Sequence, residues 1–249
     1  MRYVAVSALS HDGLMRDHNE DSMVVGPWTL CAVSTPAPET IYLPVSDPVV
    51  VAVADGLGGH PGGEHASSLA VQWLARAAPN LTDEPAVREA IQGCNKAIYA
   101  EAARRPERTA MGTTVAGLVV TEQAVIAFNV GDSRVYALED TTLTQLTVDD
   151  NEPPSAGQVR SPVVTQTLGG DFEFVPVDPH ISSRSIDDSR YLVCSDGLTD
   201  AVDESTIITI VRSHEDGRAA FELWKAAMEA GGPDNVTLAL VEIATEPQA

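Results

Sequence analysis

Val49–Ala54 (VVVAVA) runs without a polar break into Asp55-Gly56. A short apolar run this rich in valine reads as a buried strand, because β-branched side chains suit a pleated surface. It stops where the chain turns, since aspartate followed by glycine is a common turn. The same grammar recurs along the chain. Gly131-Asp132-Ser133-Arg134 follows VIAFNV, Asp196-Gly197 follows YLVCS, and Asp234-Asn235 precedes VTLALV. A fifth acidic cluster, Arg16-Asp17-His18-Asn19-Glu20-Asp21, lies near the N-terminus. One Asp-Gly pair alone is most often just a turn. The set carries more weight, because the ends of neighbouring strands lie close together and acids there can converge on one point.

The segments between these motifs define a fold class. Ala66, Leu69, Ala70, Trp73, Leu74 and Ala77 fall at helical spacing on one face. Thr82-Asp83 with Pro85 gives a helix start, continued by Val87, Ala90, Ile91, Cys94 and Ile98 and ended by Arg105, before Pro106. Val115–Val120 and Ala124–Asn129 form an expected hairpin around Thr121-Glu122, and Arg134–Leu138 follows the Gly131-Asp132 turn. Tyr191–Ser195 and Val236–Val241 are further strands. Between them lies a helix with Ala220, Leu223, Trp224 and Ala227 on one face, closed by Gly231-Gly232. The expectation is an α+β fold, two packed antiparallel sheets with helices outside. Residues 1–249 are read as one domain, with a surface flap at about 148–166 that is rich in proline and acids.

Composition removes several function classes. A net charge of −21 leaves no basic patch to release counterions from a nucleic-acid backbone. No apolar run approaches the ~20 residues that span a bilayer, and no signal peptide is visible at the N-terminus. Cys31, Cys94 and Cys194 are odd in number, widely spaced and free of any CxxC pair, which suits a reducing cytosol. The expectation is a cytoplasmic protein with neither nucleic-acid nor membrane partners, acting as a monomer.

The recurring acids need a physical answer. Two carboxylates ~4 Å apart repel by about 4 kcal/mol at an effective dielectric of 20, so a cluster of four or five must be protonated or neutralised. No lysine or arginine run accompanies the motifs, which makes bound cations the economical solution. All-oxygen ligands without paired histidines or cysteines favour Mg²⁺ or Mn²⁺ over zinc. Two such ions ~3.5–4 Å apart can hold a bridging water, lower its pKa and clamp a phosphoryl oxygen. That chemistry is hydrolysis of a phosphate ester.

On these motifs the chain resembles the type 2C, metal-dependent protein phosphatases. The matching segments are Arg-x-x-Asn-Glu-Asp (16–21), Asp-Gly-Leu-Gly-Gly-His-Pro-Gly-Gly-Glu (55–64), Met-Gly-Thr-Thr (111–114), Asn-Val-Gly-Asp-Ser-Arg-Val-Tyr (129–136), Ser-Asp-Gly-Leu-Thr-Asp (195–200) and Asp-Asn-Val-Thr (234–237). They occur in family order, in a form similar to compact bacterial members that consist of the catalytic domain. The resemblance implies a central β-sandwich flanked by helices, with the metals at one edge. It implies Ser/Thr phosphatase activity by direct attack of a water bridging two Mn or Mg ions.

The resemblance also implies roles. Asp55 bridges the two metals, and Asp196 and Asp234 complete the first metal's shell. Glu20 and the Gly56 carbonyl hold the second, with Asp21 acting through a bound water. Asp132 with Asp196 matches a third, weaker site. Arg16 binds the substrate phosphate, and Asn235 supports the cage from behind. From the residues alone, Arg16 reads equally well as a salt-bridge partner of Asp17 or Glu20. Implied partners are Ser/Thr-phosphorylated proteins and an opposing Ser/Thr kinase.

One position departs from the family. Eukaryotic relatives carry a histidine directly after the Asp-Gly pair, proposed as general acid; here that position is Leu57. His60 stands three residues on, where a loop histidine is more often solvated than catalytic, so the acid is unassigned. Cys194 lies inside an apolar strand with no Cys-x5-Arg loop, which excludes the cysteine phosphatase mechanism. Two alternatives share this sequence: a catalytically weak regulatory or binding module of the same fold, and a phosphoesterase for small molecules.

Overall fold

The computed structural model describes residues 2–57, 62–105, 110–139, 142–153, 161, 163–187 and 189–245. Two six-stranded antiparallel sheets form the centre. The first contains β1 (Arg2–His11), β4 (Glu39–Pro44), β9 (Arg134–Leu138), β10 (Leu143–Gln145), β13 (Arg190–Cys194) and β14 (Val236–Thr245), in the order β10-β9-β13-β14-β1-β4. The second contains β2 (Ser22–Val25), β3 (Trp28–Cys31), β5 (Val49–Ala54), β7 (Val115–Val120), β8 (Ala124–Val130) and β12 (His180–Ser185), in the order β12-β8-β7-β5-β2-β3. A small ribbon pairs β6 (Gly112–Thr113) with β11 (Leu168–Gly169).

Strand β5 shows why the run VVVAVA is unbroken. Val51 and Val53 pack between the sheets, against a core that includes Val4, Val6, Leu118, Val135, Val193 and Val241. Val50, Ala52 and Ala54 point the other way, under helices α1 (Gly63–Ala77) and α2 (Glu84–Ala102). With both faces covered, alternation has nothing polar to show. The first sheet is covered on its outer face by α4 (Glu204–Ser213) and α5 (Asp216–Glu229), where Ile207, Val211, Leu223 and Ala227 meet Leu192, Leu238 and Leu240. The result is the four-layer helix–sheet–sheet–helix arrangement expected from the sequence.

Local signals are honoured. Asp83 caps α2, its side chain accepting from the Ala86 N–H at 2.9 Å, with Pro85 in the first turn. Helix α5 ends before Gly231 and Gly232, both at positive φ, whose N–H groups bond to Met228 and Ala227 carbonyls. Strand β13 ends at Cys194 rather than Ser195, because Ser195 turns to precede the short helix α3 (Asp196–Thr199). The stem of the flap is a bridge between Asn151 and Val164; residues 154–160 and 162 lie outside the described residues.

Candidate metal centre

Every acidic motif sits at the same edge of the sandwich. Asp55 follows β5, Asp196 follows β13, Asp234 and Asn235 lead into β14, and Glu20 and Asp21 lead into β2. The pairing of Ser22 with Ala54 sets Asp21 beside Asp55 within one sheet, and Cys194 opposite Leu238 sets Asp196 beside Asp234 in the other. Asp132 arrives from the β8–β9 turn.

A pocket of ≈ 410 Å³ opens here, and Arg16, Glu20, Asp55, Gly56, Asp132, Asp196 and Asp234 all line it, together with Leu57, Thr114, Val164, Thr167 and Gly170. Asp21 is buried behind the pocket, and Asn235 is buried too. His60 lies outside the described residues. The predicted constellation is thus brought together, apart from that histidine.

Glycine makes the approach possible at two points. A Cβ on Gly56 would stand 2.6 Å from the Gly63 carbonyl and 2.7 Å from the Glu20 carbonyl oxygen. A Cβ on Gly197 would stand 1.9 Å from the Asn235 carbonyl oxygen. Real side chains do not survive such contacts, so glycine lets the Asp55 turn close on the Glu20 backbone and the Asp196 turn on Asp234-Asn235.

Hydrogen bonds fix the backbone of the acids. The Thr113 hydroxyl donates to the Asp55 carbonyl at 2.7 Å, and the Asp55 N–H donates to Thr114 Oγ1 at 3.3 Å. Asn235 Oδ1 accepts from the Glu20 N–H at 2.8 Å, while its Nδ2 donates to the carbonyls of Asp12 and His18, each at 3.0 Å. Asp21 Oδ2 accepts from the Ser195 hydroxyl at 2.8 Å. Ser195 Oγ in turn accepts from the Thr237 N–H at 3.1 Å. Ser195 is therefore committed to holding a carboxylate and is not free to act as a nucleophile. The flap reaches the site through Asn151, whose Nδ2 donates to Asp132 Oδ2 at 3.0 Å.

The electrostatics are those of a buried acid cluster with one arginine, Arg16, paired at its edge. Burial pushes Asp55 well above the usual carboxylate range, and the charges of Asp21, Asp196 and Asp234 push it further. Burial pushes Asp196 up to about 7, helped by Asp132 and Asp200. It pushes Asp21 up to about 6, against hydrogen bonds from Thr237 and Ser195. Glu20 is raised as well, by burial first. Asp21 Oδ1 is buried without a hydrogen-bond partner. An orphaned carboxylate oxygen among buried, converging acids fits a divalent-cation site built from oxygen ligands.

Arg16 donates from Nη2 to Asp234 Oδ2 at 2.7 Å, rather than to Asp17 or Glu20. The Asp234 hydrogen bond raises its pKa, as do the charges of Asp234, Glu20 and Asp55. Two groups to which the sequence alone assigns no role also arrive. Ligand atoms of His18, Glu20 and Glu64 lie within 4.8 Å of one another. Glu64 stands in the first turn of α1, directly after the glycine pair that closes on Gly56; in the sequence it is the last residue of the 55–64 motif, with no role attached.

The protein phosphatase 2C family model matches residues 44–242, and the chain belongs to that family. It is 32% identical over 256 residues to the serine/threonine protein phosphatase PstP of Mycobacterium tuberculosis, covering 95% of this chain and 44% of PstP. The chain thus spans less than half the length of that relative. It is 34% identical over 217 residues to the serine/threonine phosphatase stp of Listeria welshimeri, covering 79% of this chain and 85% of the relative. The crystal structure of the PstP catalytic domain in complex with two manganese ions superposes with a TM-score of 0.78 at 29% identity, covering 98% and 100% of the two chains. Stp1 of Staphylococcus aureus gives a TM-score of 0.80 at 25% identity, covering 96% and 95%.

Proposed function

We propose that this chain is a metal-dependent phosphatase that hydrolyses phosphoserine and phosphothreonine in proteins, opposing Ser/Thr kinases in a reducing intracellular compartment. The observation that carries it is the meeting of Arg16, Glu20, Asp55, Gly56, Asp132, Asp196 and Asp234 in one pocket. The three cysteines are all free thiols, which supports the compartment.

In this reading Asp55, Asp196 and Asp234 would hold one Mn²⁺ or Mg²⁺, and Asp55, Glu20 and the Gly56 carbonyl would hold a second. Asp21 stands behind them, and Asp132 with Asp196 would serve a third, weaker site. When bound, the cations supply a water of lowered pKa and neutralise charge on the phosphoryl oxygens. The chain's own groups do the rest. Arg16 presents a planar fork at the pocket wall and donates to the phosphate oxygens, leaving its resting partner Asp234 to do so. Thr113 and Thr114 hold the Asp55 backbone, and Asn235 holds that of Glu20, so the carboxylates are in place before substrate arrives. Water attacks phosphorus and the P–O bond to the seryl or threonyl oxygen breaks; of the water's two protons one ends on that oxygen and the other stays on the phosphate, giving the free alcohol and hydrogen phosphate. No residue forms a covalent phosphoenzyme.

The test is phosphate release from an aryl phosphate and a phosphothreonine peptide with Mn²⁺, Mg²⁺ or EDTA, in the wild type and Asp196→Asn. Release that needs the metal and collapses in the variant is the expected result. A folded protein inactive with every metal would overturn the enzyme reading and leave a binding module of the same fold.

A further inference from the structure

We propose that the rim of this pocket selects phosphopeptides with apolar and basic residues beside the phosphorylated residue; the inference rests on the protein-phosphatase reading above. It starts from where the chain leaves large hydrophobic side chains in water. Of ten such exposed side chains among the described residues, four (Leu14, Met15, Val163 and Phe172) stand within two residues of a group that lines the pocket. Leu14 and Met15 precede Arg16, Val163 precedes Val164, and Phe172 follows Gly170. Phe172 is 78% exposed and Met15 72%, the two highest values among the ten. Scattered surface hydrophobes need no explanation, but exposed ones that recur beside pocket-lining residues on three separate segments point to a contact surface.

Neither loop is loose. The 13–15 turn is tied by the Gly13 N–H to His11 Nδ1 at 2.9 Å and by the Leu14 N–H to the Gly232 carbonyl at 2.8 Å. Asn235 grips the same loop at the carbonyls of Asp12 and His18. The 169–175 loop is pinned to α2 at both ends. Asn95 accepts from the Gly169 N–H at 2.8 Å and donates to the Val175 carbonyl at 2.8 Å. Between these ties the Phe174 ring packs edge-on against Tyr99, with centroids 5.2 Å apart. Phe172 is thus held out on a fixed loop. A ligand meeting it need not order that loop first, which lowers the cost of binding.

Charge supplies the second half of the specificity. Arg16 is the only Lys or Arg among the described residues of 12–21, 148–153 and 163–177, and it is already paired with Asp234; the flap's other arginine, Arg160, lies outside the described residues. Asp17, Glu152, Asp171 and Glu173 are exposed on those segments. The phosphate goes inward, toward Arg16 and the cations that the carboxylates would hold. The residues on either side of it meet apolar side chains interleaved with carboxylates, a surface that favours Leu, Phe or Met together with Arg or Lys and repels Glu.

The experiment compares three phosphothreonine peptides of equal length, flanked by Leu, Phe and Arg, by Ala and Gly, or by Glu, with an aryl phosphate alongside. All are run on the Mn²⁺-loaded protein as wild type and as the Met15→Ser/Phe172→Ser double variant. The expected kcat/KM is about tenfold or more higher for the apolar-basic peptide than for the Glu peptide, through KM, since burying one such side chain is worth about one tenfold step. That ratio falls to about twofold in the double variant, and added salt shrinks the Arg-dependent part. Equal turnover of the three peptides, or a ratio unchanged in the folded double variant, overturns the rim inference alone. Turnover of the aryl phosphate with no peptide hydrolysed overturns the protein-phosphatase reading beneath it.

Discussion

Asn235 holds the backbone of Glu20 across 215 residues of sequence, its side-chain oxygen accepting the Glu20 N–H at 2.8 Å. Its amide nitrogen ties down Asp12 and His18 at the same time, so one buried side chain fixes the whole loop that carries Arg16 and Glu20. The residue touches no substrate in this arrangement; it sets where others stand. Asn235→Ala is expected to lose three hydrogen bonds, at about 1 kcal/mol each and more where a carbonyl is left unpaired in the interior. It should also weaken Mn²⁺ binding by roughly 10- to 100-fold, as loss of an outer support typically does. Urea unfolding and calorimetric Mn²⁺ titration read the two effects separately.

Gly197 makes a sharper case. A methyl group there would stand 1.9 Å from the Asn235 carbonyl oxygen, which is backbone and cannot swing aside. Gly197→Ala is expected to cost about 3 kcal/mol or more, the upper range for overpacking a tight site. It should also spread Asp196 from Asp234 and lower metal affinity. Gly217→Ala is the control: its nearest neighbours to an added Cβ are 3.6 Å away or farther, an ordinary contact. Chemical denaturation should show a small change at Gly217 and a large one at Gly197.

Arg16 tests the substrate side. Its guanidinium lies at the pocket wall with one hydrogen bond, to Asp234. Arg16→Lys keeps the charge and loses the planar fork that matches two phosphoryl oxygens. The expected result is a drop in kcat/KM of about 10- to 100-fold, corresponding to one or two charge-assisted hydrogen bonds. Mn²⁺ affinity should change little in Arg16→Lys. Steady-state kinetics at saturating metal, paired with a metal titration, distinguishes this from damage to the cation site.

How much of the molecule is written locally differs by feature. The acid-then-turn motifs are legible, because a strand that stops at Asp-Gly announces itself within eight residues, as at Val49–Gly56. The helices from Gly63 and Glu84 are legible for the same reason, through spacing and the Asp83 cap. Strand β1 is not. Its ten residues, RYVAVSALSH, become a strand by pairing with β14, Arg2 opposite Thr245, at the far end of the chain. Sequence favours Asp17 or Glu20 as the partner of Arg16, yet the partner is Asp234, because proximity in sequence is a poor guide when a loop folds back over a sheet edge. Glu64 becomes a candidate only when Gly56 and Gly63 close on each other.

The acid cluster gives the metal-free protein an unusual response to pH. Asp21 and Asp196 have an ordinary value of 3.8 and are raised to about 6 and about 7 in the folded chain, chiefly by burial, and Asp55 is raised well above its ordinary value. Between pH 4 and pH 7 the folded state therefore binds more protons than the unfolded state. Stability then falls as pH rises through that window, the reverse of a carboxylate held ionised by a salt bridge. A tenfold change in proton affinity is worth about 1.4 kcal/mol, and the sites share protons, so the loss is expected to be on the order of a few kcal/mol. Melting curves in EDTA should give a higher Tm at pH 5 than at pH 8, and Asp196→Asn should flatten the slope by removing one charge from the cluster. With Mn²⁺ present the sign reverses, because protons compete with the cation for the same oxygens and binding weakens as pH falls. A metal-free Tm that rises steadily from pH 5 to pH 8 would mean the carboxylates are relieved by some group other than a proton, and would count against the cluster as a cation site.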